Sequence, residues 1–514
     1  MLRKVMAENG EIQGYAGGDP RVTVFKGVPY AAPPVGDLRW RAPRPHADWD
    51  GIYKADRFKP VSWQKQPGID WTDFYTKELN PTAKEYEMSE DCLYLNIWTP
   101  AKRTGEKLPV FYYIHGGGFR AGYSYEMEFD GERMARKGVV FVTVGYRLGA
   151  LGFFAHKDLE MEEPGALQGN FGLLDQLAGL EWVRRNIAAF GGDPEKIVIG
   201  GQSAGGMSVQ CLLTSPMARG KFQGAIMMSC GGISAPDAGV KMDRSLEMAQ
   251  SEGEALLKHL DVSTVEEARH IDPAVITATA FSMRPASGAP IMWLPTIDGV
   301  FLPEPIRDAF LAGHTHNVPC MIGGCWGEAR PDPVRQPELA DAATFREYVL
   351  THYGDEAENF LALANVNNDE ELAALLKTEE AFSRNVASRC FAQRQSYDGK
   401  TTFVYLFDHD IPGDDRGSYH GSDMWFTFES LARCWRPFTG KHYDLARQVS
   451  SYWTNFVKYG DPNGQDSIGQ ELPKWRPYSK DDPFVICFKD KPEECTLSES
   501  ELMKLVKKCS LDEV

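Results

Sequence analysis

Three apolar runs stand out along the chain: "LPVFYYI" at 108 to 114, "GVVFVTV" at 138 to 144 and "KIVIGG" at 196 to 201. They are nearly continuous instead of alternating, as strands buried on both faces are, and so predict a parallel or mixed sheet with covered faces. "GAIMMS" (224 to 229), "VPCMIGG" (318 to 324), "TTFVYLF" (401 to 407) and "PFVICF" (483 to 488) read as further strands. The first 30 residues look different, with short runs split by turns: an Asn-Gly pair sits inside "KVMAENGEIQG", and "RVTVFKGVPYA" follows.

Helical periodicity fills the gaps. Leu173, Leu174, Leu177, Leu180, Val183 and Ile187 recur every three or four residues until Gly191-Gly192 stops the pattern, which predicts an amphipathic helix against the sheet. Near the end, Leu445, Val449, Trp453 and Phe456 form one helical stripe closed by Lys458 and Gly460. From about 235 to 395 the pattern is mostly helical. Strands alternating with helices predict an α/β fold. We read residues 1–514 as a single domain carrying that helical elaboration, although length alone would suggest about three domains.

Charge narrows the partners. With 55 basic against 72 acidic residues the net charge is −17, which repels phosphate backbones and anionic lipid, so nucleic acid is not expected as a partner. No apolar run approaches the roughly 20 residues that span a bilayer. The start, "MLRKVMAENGEIQG", has no apolar stretch of the kind a signal peptide needs, and the expectation is a soluble, cytoplasmic protein. Ten cysteines are scattered without the spacing of a zinc or redox site and read as reduced thiols; no metal is expected.

The chemistry gathers around one serine. Gly201-Gln202-Ser203-Ala204-Gly205 fits G-x-S-x-G, with a buried strand before it and a helix, "GMSVQCLLTS", after it. In that context the serine stands on a sharp strand-to-helix turn, with glycines two before and two after it where side chains would collide. A nucleophile attacking an acyl carbonyl needs donors for the oxyanion. "YYIHGGGFRAG" supplies a second glycine-rich loop at a strand end, His115-Gly116-Gly117-Gly118-Phe119, and the Ala204 N–H would add a donor.

Such a serine needs a base and an acid later in the chain. The available histidines are His259, His270, His314, His316, His352, His409, His420 and His442; His420 stands out in "RGSYHGSDMWFTF", among small turn-forming residues. For the acid, Glu328 follows an apolar strand run and a Gly-Gly turn, which predicts a carboxylate at the same sheet edge. Asp298 in "PTIDG" and Glu304 in "FLPEP" are alternatives that read more naturally as parts of turns.

Taken in order, "FKGVPYAAPPVGDLRWRAP", "SEDCLYLNIWTP", "HGGGF", "GNFGLLDQLAGLEWVRRNIAAFGGDP", "GQSAGG", "PTIDGVFLP" and "HGSDMWFTF" resemble the type-B carboxylesterase and cholinesterase family of α/β-hydrolases, from about residue 10 to about 490. The resemblance implies a mostly parallel central sheet, helices on both faces and an active site roofed by the helical insertion. It also implies Ser203 as nucleophile, Glu328 as acid, His420 as base and an oxyanion hole from Gly117, Gly118 and Ala204. Phe119 and Trp425 would border the substrate pocket, Ser229 would sit near the nucleophile, and Arg39 and Glu90 would form a buried structural ion pair.

The chain departs from that pattern at Gly327-Glu328-Ala329, where the family commonly has Asp-Glu-Gly, and in having no cysteine before Cys92 to pair with it. The implied reaction is hydrolysis of a small-molecule carboxylic ester through an acyl-enzyme, which needs no cofactor. A feruloyl or other aromatic-acid esterase is a narrower alternative. A non-catalytic binding or adhesion protein is a third, and would be expected to have lost part of its triad.

Overall fold

The computed structural model describes residues 1–65, 78, 86–165, 167–233, 244–284, 291–328, 339–378, 384–495 and 499–511, without the side chains of Glu328 and Arg384. Its strands are β1 (Lys4–Ala7), β2 (Gly10–Gln13), β3 (Tyr15–Ala16), β4 (Thr23–Pro29), β5 (Ile52–Lys54), β6 (Tyr94–Thr99) and β7 (Leu108–Ile114). There follow β8 (Val140–Val144), β9 (Gly192–Gln202), β10 (Gly224–Met228), β11 (Cys320–Cys325), β12 (Thr402–Phe407), β13 (Val485–Phe488) and β14 (Pro492–Glu494).

Eleven of these strands form one sheet in the order β14-β13-β12-β11-β10-β9-β7-β8-β6-β4-β3, while β1, β2 and β5 make a small separate sheet. From β8 through β13 every neighbouring pair is parallel; β3, β4, β6 and β14 add antiparallel edges. The continuous apolar runs are therefore the parallel centre. Side chains alternate across it, as the pleat requires: Val110, Tyr112 and Ile114 of β7 join one core, and Phe111 and Tyr113 join the other.

The first face is covered by α1 (Phe171–Asn186) and α2 (Ala204–Thr214), and α3 (Arg384–Tyr397) lies beside β11 and β12. The short α4 (Ser422–Thr427) and the long α5 (Gly440–Tyr459) cover the second face, with Leu445, Val449, Trp453 and Phe456 buried as the stripe predicts. A Thr439–His442 capping box starts α5, and Gly460 with φ of 68° ends it.

One sequence expectation needs correction. Helix α1 is not amphipathic: Asp175, Gln176 and Asn186 are buried along with its leucines, because both the sheet and α2 pack on it. The stretch 235 to 395 holds many helices together with the strand expected at 318 to 324. Strand β11 divides it and lies near the middle of the sheet, with helices Leu246–His259, Val265–Arg269, Pro273–Ser282 and Ile306–Ala312 before it and α3 after it.

Buried ion pairs fasten the parts that the sheet does not hold. Arg39 grips Glu90 through two 2.6 Å hydrogen bonds and donates to the carbonyls of Ala268 and Ile271, tying the N-terminal segment to the helical region. Arg147 and Asp175 make a similar fork at 2.7 and 2.8 Å where α1 meets the loop after β8. Among the described residues no helix is long and apolar enough to cross a membrane.

Candidate active site

Strand β9 ends at Gln202 and α2 begins at Ala204, so the whole reversal falls on Ser203. Its φ of 57° and ψ of −124° lie in a region that non-glycine residues avoid. Such strain costs about 1–3 kcal/mol and persists only where the surroundings enforce it. Here the Ser203 N–H donates to the Met228 carbonyl (2.8 Å) and the Ser203 carbonyl accepts from Met207 (2.9 Å). A side chain on Gly201 would overlap the Gly205 carbonyl carbon and stand 2.5 Å from its oxygen and 2.7 Å from the Ile114 carbonyl oxygen, so the glycine requirement read from the pentapeptide comes from its own turn and from β7 next door.

The second glycine loop touches the first. A Cβ on Gly116 would lie 2.7 Å from the Gln202 carbonyl oxygen and 3.2 Å from Ser203 Cβ. Gly117 has φ of 102°, and its carbonyl accepts from both Arg120 (3.1 Å) and Ala121 (3.0 Å), which curls the loop tightly. Among the described residues the N–H groups of Gly117, Gly118 and Ala204 donate to no protein acceptor, so the three predicted oxyanion donors are available. His115 anchors the loop: its ring stacks on Tyr146 at 4.4 Å, and Nδ1 lies 2.9 Å from the Gly116 carbonyl oxygen. Burial pulls its pKa down to about 4, so at neutral pH it is an uncharged donor to that carbonyl.

His420 arrives on the loop between β12 and α4. It is half-buried, and its Nε2 lies 3.3 Å from the side-chain nitrogen of Gln202, the neighbour of Ser203. The turn Trp326–Glu328 caps β11 and is bound to the same loop, since the Gly327 N–H donates to the Ser418 carbonyl (3.0 Å). Cys325 Sγ meets Ser422 Oγ at 3.5 Å on the other side of His420. The backbone of Glu328 thus stands at the C-terminal end of β11 facing the His420 loop; its side chain lies outside the described residues.

The rival acids have other duties. Asp298 accepts from the N–H groups of Val300, Phe301 and Leu302 and from Asn170, holding a turn, and Glu304 pairs with exposed His314 at 2.6 Å. The rival histidines lie elsewhere: His409 is packed against Phe407 and Phe426, His442 caps α5, and His259 and His270 are exposed. Phe119 is fully buried, edge-on to Phe153, and Trp425 is fully buried in the core on the α5 face, so the structure shows packing at both positions. Ser229, also with positive φ (53°), ends β10 and donates its N–H to the Gly323 carbonyl at 2.7 Å.

Residues 2–503 match the carboxylesterase family. The chain belongs to that family. It is 33% identical over 473 residues to the fumonisin B1 esterase of Sphingopyxis macrogoltabida, covering 89% of this chain and 82% of that one. It is 32% identical to the para-nitrobenzyl esterase of Bacillus subtilis (strain 168), covering 89% and 90%. A solved carboxylesterase of Geobacillus stearothermophilus superposes with a TM-score of 0.78 at 28% identity over 99% of this chain and all (100%) of that one.

This carboxylesterase has the α/β-hydrolase fold and is a carboxylic ester hydrolase. Among its described residues no group of three or more His, Cys, Asp or Glu is placed to hold a metal ion. Sequence reading passed over two features of the site. Gln202, which touches His420, occupies the variable position of its motif, and half-buried Glu126 and fully buried Glu128 lie in "YSYEMEFDGE", a stretch whose polarity reads as surface.

Proposed function

We propose that this carboxylesterase hydrolyses small-molecule carboxylic esters by a Ser203–His420–Glu328 relay with an oxyanion hole from Gly117, Gly118 and Ala204. His420 takes the Ser203 hydroxyl proton as Oγ forms a bond to the acyl carbon, and the carbonyl π electrons move to oxygen, where the three N–H groups meet the charge. Collapse expels the alcohol, which leaves with the proton from His420. Water then gives a proton to His420, attacks the acyl-enzyme and displaces Ser203, which recovers that proton; the acid is released. Glu328 holds the imidazole in the required tautomer and stabilises its cation.

The observation that carries this reading is the strained Ser203 turn in contact with Gly116, with His420 held against the adjacent Gln202. The relatives named for para-nitrobenzyl and fumonisin B1 esters support an aromatic or bulky ester as substrate. Treatment with an organophosphate followed by peptide mass analysis tests the nucleophile: an adduct on Ser203 with loss of nitrophenyl-ester hydrolysis is expected. A folded enzyme that keeps its rate as Ser203→Ala would end the proposal. Rates on nitrophenyl acetate, a para-nitrobenzyl ester and methyl ferulate would separate a generalist from an aromatic-acid esterase.

A further inference from the structure

Two carboxyls, Glu126 and Glu128, follow the Gly117–Gly118 loop in the chain, and the relay uses neither. Glu128, in the turn Met127–Phe129, is fully buried, and neither of its carboxyl oxygens receives a conventional donor. The side chain that meets the Glu128 carboxyl is that of Glu126, whose Oε1 accepts the Tyr123 N–H at 3.1 Å. A carboxylate only accepts, so two carboxyls that share a hydrogen bond need a proton on one of them.

Their position ties them to the oxyanion donors. Gly122 has φ of 99°, and a Cβ there would stand 2.6 Å from the Gly116 carbonyl oxygen, 2.8 Å from His115 Nδ1 and 3.2 Å from Glu126 Oε1. Gln64 pins the same glycine from the opposite side, accepting its N–H at 2.9 Å and donating to its carbonyl at 3.1 Å. The Glu126 carboxyl, the His115 ring and the Gly116 peptide therefore meet around one residue.

We propose that Glu126 and Glu128 share one proton and are positioning residues for the oxyanion loop: the protonated pair holds the Gly122 turn against Gly116, and loss of the proton drives the carboxylates apart and displaces the Gly117 and Gly118 donors. The titratable groups facing the pair are Tyr113 and His115 at the end of β7, Tyr123 in the loop, Tyr146 after β8, and Asp423 of α4 across Tyr113. None is a cation at neutral pH, and Lys59, which borders the adjoining small cavity, makes no ion pair with either carboxyl among the described residues. Burial pushes Glu126 up to about 7 and Glu128 well above the ordinary carboxylate range, so the pair still holds a proton at neutral pH.

The inference rests on the hydrolase reading, in which His420 shapes the acid limb of the pH–rate profile and the pair shapes the alkaline limb. Wild-type kcat is expected to fall about tenfold as the pair ionises, with KM little changed, because a displaced oxyanion donor weakens the transition state and not substrate binding. Glu128→Gln keeps a donor to Glu126 and removes the second charge, so its kcat plateau should extend to higher pH. Superimposable alkaline limbs in wild type and Glu128→Gln would overturn the proposal. Should the variant not fold, the wild type itself decides: a protonated-carboxyl infrared band that is present at neutral pH and disappears over the pH range of the alkaline limb is expected, and its absence at neutral pH would overturn the shared proton. An enzyme inactive at every pH would strike the hydrolase reading and leave the infrared result intact.

Discussion

Gly205 packs its α-carbon against the carbonyl oxygen of Ile114, so closely that a Cβ would overlap that oxygen while also standing 2.9 Å from the His115 carbonyl oxygen. Both are backbone atoms at the end of β7 and neither can rotate away. Gly205→Ala is therefore expected to cost about 3 kcal/mol and to tilt the Ser203 turn, abolishing most activity. Gly118→Ala makes the control: no atom lies within 4 Å of its Cβ position, so only its φ of 63° is penalised, at about 1 kcal/mol. Urea unfolding of both variants should separate them, and equal midpoints would refute the steric account.

These contacts also explain what the sequence could disclose. Glycines at 116, 201 and 205 are demanded by backbone atoms of neighbouring strands and, at Gly201, of the turn itself, so the motif itself carries the geometry. Strands β7 and β12 fall within a residue of their apolar runs because both faces are buried. Strand β9 begins four residues earlier than its run, at Gly192, since backbone pairing with Leu108 holds a polar stretch that hydrophobicity does not mark. His420 lies more than two hundred residues from Ser203 in the chain and reaches it through the order β9-β10-β11-β12, which no local pattern encodes.

The Arg39–Glu90 fork predicts a stability effect without a catalytic one. Arg39 is 4% exposed and donates to Glu90 and to the Ala268 and Ile271 carbonyls, so Arg39→Met strands a buried carboxylate and two acceptors. Breaking a buried pair from one side typically costs about 3–5 kcal/mol. Arg39→Met together with Glu90→Leu should recover part of that loss, since no charge then remains unpaired. The fraction that stays folded should keep the wild-type kcat; additive losses in the double variant would contradict the pairing argument.

His115 and Glu126 should pull stability in opposite directions as pH changes. His115 falls from an ordinary 6.5 to about 4, so between those values the unfolded chain binds more protons, and His115 makes stability rise with pH. Glu126 rises from 4.5 to about 7, so the folded chain binds more protons in that window, and Glu126 makes stability fall with pH. Shifts of this size correspond to about 3 kcal/mol each, and the two windows overlap. His115→Gln should therefore tilt the curve of unfolding free energy against pH downward relative to wild type between pH 4.5 and 6.5, and Glu126→Gln should tilt it upward. Parallel curves for the three proteins would show that neither group is perturbed as described.

Gln202 offers the sharpest handle on the base. Its side-chain nitrogen lies 3.3 Å from His420 Nε2, so with Nδ1 protonated the amide N–H donates to the lone pair that must receive the Ser203 proton. A neutral amide there steadies the ring without favouring its cation. A carboxylate at the same distance would favour it, and an opposite charge within about 4–6 Å typically shifts a pKa by one unit or more. Gln202→Glu should accordingly move the acid limb of kcat/KM upward by about one pH unit, so that the variant is slower than wild type in mild acid and comparable once His420 is again neutral. Gln202→Leu, which fills similar space without hydrogen-bonding, should leave the limb near its wild-type position. Were Gln202→Glu to titrate with the wild-type acid limb, the histidine that limits the rate would have to be one other than His420.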